Sequence, residues 1–297
     1  MKMLRSQLDN VKSNPDYLME EKFIDVAYGN NPRRQMISTE IIDKFSFEAL
    51  PAIYRKLYPD ANSFTFTIVG NVDLDALKPL VEKYIGSIPV SKKAMTFADD
   101  KCAPVKGDVT EEFTAPMQQP KVSVHYMFSG KMPYTLKDKA ALTFLTQALN
   151  SRYLVSIREE KGGTYGVRVQ GSTKYIPRET YSMTISFDTN EEMADELVPI
   201  VFDEIEKIAT EGPEAKDIND SREYLVKQFK NTLENNGTWF GLIDDYNRHK
   251  QNLLADYEKT LNSITYDEIR DLAKKLLDSG NVIQVTMRPE AQPETDE

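Results

Sequence analysis

The sequence predicts an α+β fold in two layers, with a mainly antiparallel sheet packed against helices. Three patterns carry that prediction. Val122, Val124, Tyr126 and Phe128 alternate with Ser123, His125, Met127 and Ser129, the period of a strand. Leu142, Leu145, Leu149, Tyr153 and Ile157 recur at helical spacing. Two further strand patterns, Tyr165–Tyr175 and Thr180–Phe187, follow each other before a long amphipathic run from Glu191 to Ala209.

The other elements follow in chain order. Residues 2–28 are helical, with a break where Asn14 precedes Pro15, because proline disfavours helix in the residue before it. Asn30-Asn31-Pro32 closes the segment. Ser46 caps a helix bearing Leu50, Ile53, Tyr54 and Leu57 on one face. Phe64–Val69 is β-branched and alternating, and predicts a strand turned by Gly70-Asn71. Asp73 opens a helix with Leu77, Leu80, Val81 and Ile85 inward. Residues 89–118, punctuated by Pro89, Pro104 and Pro116, predict a linker with an edge strand near Val109–Phe113. Residues 213–252 and 265–277 are helical, and Val282–Met287 is a last strand. The polar tail 291–297 is expected to be disordered.

Composition limits the function. With 297 residues, 40% hydrophobic and 28% charged, the chain has the make-up of a soluble protein with a substantial core. A formal net charge of −10 argues against nucleic acid and anionic membranes, which favour basic surfaces. The single cysteine, Cys102, excludes an internal disulfide framework. No apolar run approaches the ~18 residues of a membrane span.

The two ends of the chain resemble each other. Setting Phe47–Leu50 over Tyr266–Ile269 aligns Ile53 with Leu272, Leu57 with Leu276, Asn62 with Asn281, Phe64 with Ile283 and Phe66 with Val285. With a two-residue slip, Leu4 meets Leu225, Gln7 meets Gln228, Asn10 meets Asn231 and Asn14 meets Asn235. The order of elements repeats, as in a duplicated unit. Residues 1–88 are then the second half of a truncated unit. Residues 89–118 are the linker, and 119–290 form a complete unit whose first edge strand starts near 105. A half-unit upstream would supply sheet partners for the strand at 64–69, which would otherwise leave backbone donors unpaired.

Little of the sequence suits catalysis. A zinc hydrolase needs three protein ligands and an open position, and the two histidines, His125 and His249, lie in no zinc-binding spacing. His125 lies on the strand face opposite the apolar one. His249 follows Asp245 by one helical turn, a spacing that favours a plain surface contact over a weak metal site. No metal is expected in this chain. Gly162-Gly163 follows a helix and precedes a strand, the reverse of a phosphate cradle, so a helix-ending glycine in the left-handed region explains it better.

Arg158 and Tyr165, on either side of that corner, are both hydrogen-bond donors. Donors aimed at a developing oxyanion are worth about 3–4 kcal/mol each. On the residues alone, Arg158 could instead balance Glu159, Glu160 or helix carbonyls, and Tyr165 could be half-buried packing. The residues by themselves favour these ordinary roles.

The segment Leu149-Asn150-Ser151-Arg152-Tyr153-Leu154 through Arg158-Glu159-Glu160-Lys161-Gly162-Gly163-Thr164-Tyr165-Gly166-Val167 resembles the C-terminal half of the pitrilysin/insulinase family of zinc peptidases, family M16. Tyr28-Gly29 to Pro89 is similar to that family's end-of-unit pattern, including Ile68–Asp73 and Val81–Gly86.

The resemblance implies M16-type, LuxS-metallohydrolase-like units, paired into halves that close around a peptide. It implies zinc in the N-terminal half of the parent protein and none in this chain. Arg158 and Tyr165 would bind the substrate backbone and support the tetrahedral intermediate. On this reading the chain is the non-metal half of a zinc-dependent endopeptidase and is inactive alone. Alternatives are a non-catalytic partner subunit of a two-chain peptidase and an inactive structural relative. The implied partners are the missing N-terminal half, or a zinc-bearing subunit, and a peptide substrate. The periplasm fits such a peptidase, with the cytoplasm as the alternative.

Overall fold

The computed structural model describes residues 2–91, 98–159, 161–162, 164 and 166–291. The expected tail at 292–297 and part of the expected linker lie outside these residues. Helices α1 (Lys2–Val11) and α2 (Pro15–Tyr28) flank the expected break, where the Asn14 side chain accepts from Asp16 N–H and caps α2. A short helix, α3 (Thr39–Asp43), is one the sequence did not suggest. Helices α4 (Leu50–Leu57) and α5 (Leu74–Tyr84) follow. Ser46 accepts from Ala49 N–H, and so caps the turn leading into α4 instead of the helix itself.

The sheet is built from β1 (Asp108–Ala115), β2 (Val122–Lys131), β3 (Val167–Lys174), β4 (Thr180–Thr189) and β5 (Val282–Pro289), in the spatial order β1-β5-β2-β4-β3. Neighbours pair antiparallel except β1 with β5, which run parallel. β1 lies inside the stretch expected as a linker, as the anticipated edge strand. Between the strands run α6 (Leu136–Tyr153), α7 (Glu191–Glu211), α8 (Ala215–Thr232), α9 (Asn236–His249), α10 (Leu253–Ser263) and α11 (Tyr266–Asp278). A capping box, Thr265 with Glu268, starts α11.

One face of the sheet carries the main core. Tyr126, Phe128, Met183 and Ile185 meet Leu145, Leu149, Leu197, Ile205, Ile269 and Leu276, all fully or almost fully buried. Gly171 in β3 admits α6 closely, since a Cβ there would lie 2.8 Å from Leu142 Cγ. The opposite face is half covered. Met19, Phe23 and Ala27 of α2 pack on Met127, Ile283, Val285 and Met287 in a second core. The face that carries His125, opposite the apolar one, is therefore partly covered by α2. Beyond α2, β4 and β3 present Ser182, Thr184, Ser186, Arg168 and Gln170 outward.

The expected strand at Phe64–Val69 does not form a ladder among the described residues. Its apolar side chains stay in water, as do those of α4. In the aligned repeat Ile269, Leu272, Leu276, Ile283 and Val285 are at most 8% exposed. Their counterparts Leu50, Ile53, Leu57, Phe64 and Phe66 are 41–49% exposed. A strand exists only by pairing with a neighbour; β5 has one on each side, whereas residues 64–69 have none among the described residues.

Candidate functional site

The corner singled out in the sequence starts in α6. Thr135 accepts from Asp138 N–H to start the helix, and a stripe from Ala140 through Tyr153 is buried. Two anchors fix its C-terminal end to α7. Tyr153 Oη donates to Val201 O at 2.7 Å, and Arg152 Nη1 donates to Glu204 Oε2 at 3.1 Å. The helix then widens into a π-helical turn, Leu154–Glu159. Such a turn adds a residue to the local repeat and commonly marks functional sites. Here it keeps Ile157 fully buried and leaves Arg158 exposed beside it.

Gly162 ends the corner with φ +64°, the left-handed conformation expected, and its N–H donates to Arg158 O at 3.0 Å. Among the described residues no hydrogen bond or ion pair engages the Arg158 guanidinium. Thr164 accepts from Gly166 N–H just before β3. Gly163 and Tyr165, the second expected donor, lie outside the described residues.

Next to the corner a cleft of about 300 Å³ opens between Thr164 and Gly166, the first turns of α2, and the β2–β4 pair. Strand register sets its polar groups, with Ser123 opposite Asp188 and His125 opposite Ser186. Lys121 Nζ donates to Asp16 Oδ1 at 2.6 Å and to Asp188 Oδ2 at 2.9 Å. Ser123 Oγ donates to Asp188 Oδ1 at 2.6 Å. Burial acts against the Lys121 ammonium, but these carboxylate partners outweigh it and raise its pKa. Burial pushes the His125 imidazole below the ordinary histidine range, with Asp188 opposing and Lys121 reinforcing the shift. The sequence reading missed this cleft. Its only local signal was the alternation Lys121-x-Ser123-x-His125, and the acidic partners come from β4 and α2.

His249 is not the surface contact the spacing suggested. Its side chain is 9% exposed and wedged between Tyr134 and Tyr175, with ring centroids 4.7 and 4.4 Å away. Asp245 Oδ1 lies 3.7 Å from Nε2, and Nδ1 is buried without a hydrogen-bond partner. Among the described residues no group of three or more His, Cys, Asp or Glu side chains could hold a metal ion. The donor set of the described residues does not fit a zinc site. No helix among the described residues is long and apolar enough to cross a membrane.

The sheet order β1-β5-β2-β4-β3 with helices packed on it defines an α+β domain, with the Arg158 corner at the end of α6. The model of the Peptidase M16 inactive domain matches residues 44–225, and the chain belongs to that family. It is 24% identical over 260 residues to the zinc protease PQQL-like of Arabidopsis thaliana, covering 82% of this chain and 27% of that protein. It is 25% identical over 244 residues to the probable zinc protease PqqL of Escherichia coli strain K12, covering 77% and 25%. The chain thus spans about a quarter of the curated relatives it matches. The crystal structure of the periplasmic protease PqqL from Escherichia coli superposes with a TM-score of 0.82 at 19% identity, over 97% of this chain and 32% of that one. That likeness shows the fold.

Proposed function

We propose that this chain forms the non-metal, C-terminal part of a zinc-dependent endopeptidase. In it Arg158 and Tyr165 bind the substrate backbone and stabilise the tetrahedral intermediate. One observation carries the reading: the π-helical turn buries Ile157 while leaving the Arg158 guanidinium exposed and unengaged among the described residues. A guanidinium whose backbone is held by the turn and whose donors are uncommitted is available to a developing oxyanion, with several N–H groups in one planar fork. Zinc, where the parent protein holds it, would activate the attacking water from the other half.

The exposed apolar faces of α4 and residues 64–68 support a further part of the reading. They occupy the repeat positions that α11 and β5 bury, which supports residues 1–88 as the second half of a unit whose sheet strands come from the other half of that same unit. The share of the curated relatives spanned by this chain favours one long parent over two subunits. The Escherichia coli relative is a periplasmic protease, and the periplasm is the proposed compartment.

The test uses the complete zinc-bearing protein. Arg158→Ala is expected to lower turnover about 100-fold or more while zinc content stays unchanged. Tyr165→Phe should do the same to a smaller degree. Unchanged turnover in Arg158→Ala would remove the proposed role.

A further inference from the structure

The cleft beside the corner contains two kinds of polar group. The charged ones are committed to each other: Lys121 bridges Asp16 and Asp188, and Ser123 holds the remaining oxygen of Asp188. The neutral ones are not. Among the described residues neither the His125 imidazole nor the Ser186 hydroxyl has a hydrogen-bond partner, though both line the cleft. They face each other across the β2–β4 ladder. On the side of α2 the neighbours are apolar: Met19 lines the cleft, and Phe23 meets the His125 ring edge-on at 5.3 Å.

This arrangement selects a ligand by its chemistry. A neutral imidazole offers one N–H and one lone pair, and a serine hydroxyl offers both functions as well. An anionic group would meet the carboxylates of Asp16 and Asp188. A cationic group would find Lys121 already seated between them. A purely apolar group would strip water from His125 and Ser186 without replacing its hydrogen bonds. An amide or hydroxyl on a short apolar stem satisfies every wall of the cleft.

We propose that this cleft is a substrate subsite for an uncharged hydrogen-bonding side chain of the bound peptide, an amide or a hydroxyl, with His125 as the residue that sets the preference. The proposal rests on the reading that the neighbouring Arg158 corner holds peptide, since Thr164 and Gly166 belong to both features.

The chain has only two histidines, so imidazole nitrogen NMR reports on His125 directly, with His125→Gln providing the assignment. The probes are peptides in which each position in turn is glutamine, norleucine or glutamate. We expect a glutamine peptide to shift the His125 nitrogens and leave those of His249 in place. Norleucine and glutamate at the same position should bind about ten-fold more weakly. His125→Leu should abolish the preference and His125→Gln should retain it. Equal responses to the three residues, or no His125 response at any position, would overturn the subsite.

Failure of the corner reading is separately visible. It shows as unchanged turnover of Arg158→Ala in the complete protein, whatever His125 reports.

Discussion

Glu204 offers the sharpest test of how the corner is held. It lies on α7 and is 4% exposed, with Oε2 accepting from Arg152 Nη1 at 3.1 Å and Oε1 from Lys207 Nζ at 2.8 Å. The Lys207 side chain is half exposed, so its pair is worth less than about 1 kcal/mol. The Arg152 side chain is only 15% exposed, and its Nε already lacks a partner. Glu204→Ala therefore leaves a nearly buried guanidinium without its hydrogen-bonded countercharge, with the more distant Asp217 carboxylate nearby. Breaking a buried pair in this way costs about 3–5 kcal/mol. The residual exposure of Arg152 lets water recover part of that, which sets the expectation near 3 kcal/mol. For a chain of this size the melting temperature should fall by about 6–12 °C.

Urea unfolding followed by circular dichroism, with the slope unchanged, is the direct assay. The double variant Arg152→Met with Glu204→Met should cost clearly less than Glu204→Ala alone, because no charge is then stranded. A loss under about 1 kcal/mol for Glu204→Ala, or a double variant as damaging as the summed singles, would refute the reasoning. Arg152 lies on the same continuous helix as Arg158, so the loosened anchor should also lower turnover in the complete protein.

Two further outcomes follow from the fold. Leu57→Lys combined with Phe66→Lys changes residues that are 49% exposed, so the stability of the chain should move by less than about 1 kcal/mol. The same pair should abolish association with the separately produced other half of the unit containing residues 1–88 in a calorimetric titration, and undiminished association would reject the proposed unit completion. The second outcome concerns pH. The native state holds His125 neutral against an ordinary value near 6.5, so below about pH 6.5 the unfolded chain binds a proton that the native chain does not. Asp188, Asp16 and Lys121 are the charged groups around it. Stability should therefore fall as pH drops from about 6.5 toward 5, and His125→Gln should flatten that slope. Asp99 and Asp100, held low by backbone N–H groups and Arg178, act only at lower pH. Coincident profiles for the two proteins would contradict the assignment.

Much of the fold was legible because its signals are local. Helical spacing located α6, α7 and α11, alternation located β2 and β4, and Asn14-Pro15 marked the break between α1 and α2. The glycine corner was legible too, since a left-handed turn between helix and strand has few other solutions. The segment Phe64–Val69 had the pattern of a strand without forming one, because a strand exists only through neighbours that no local pattern supplies. His249 misled for a related reason. Its spacing from Asp245 was correct, but its burial depends on Tyr134 and Tyr175, which are distant in sequence.

The sequence alone determined the residue types available for chemistry: two histidines outside any zinc-binding spacing, and an arginine and a tyrosine flanking a glycine corner. Only the tertiary structure decided that α2 folds across half of the second sheet face. That packing, together with the β2–β4 register, brings Asp16, His125 and Asp188 from three separate elements around one cleft. Register and layer packing are long-range choices, settled by which apolar faces can be buried together.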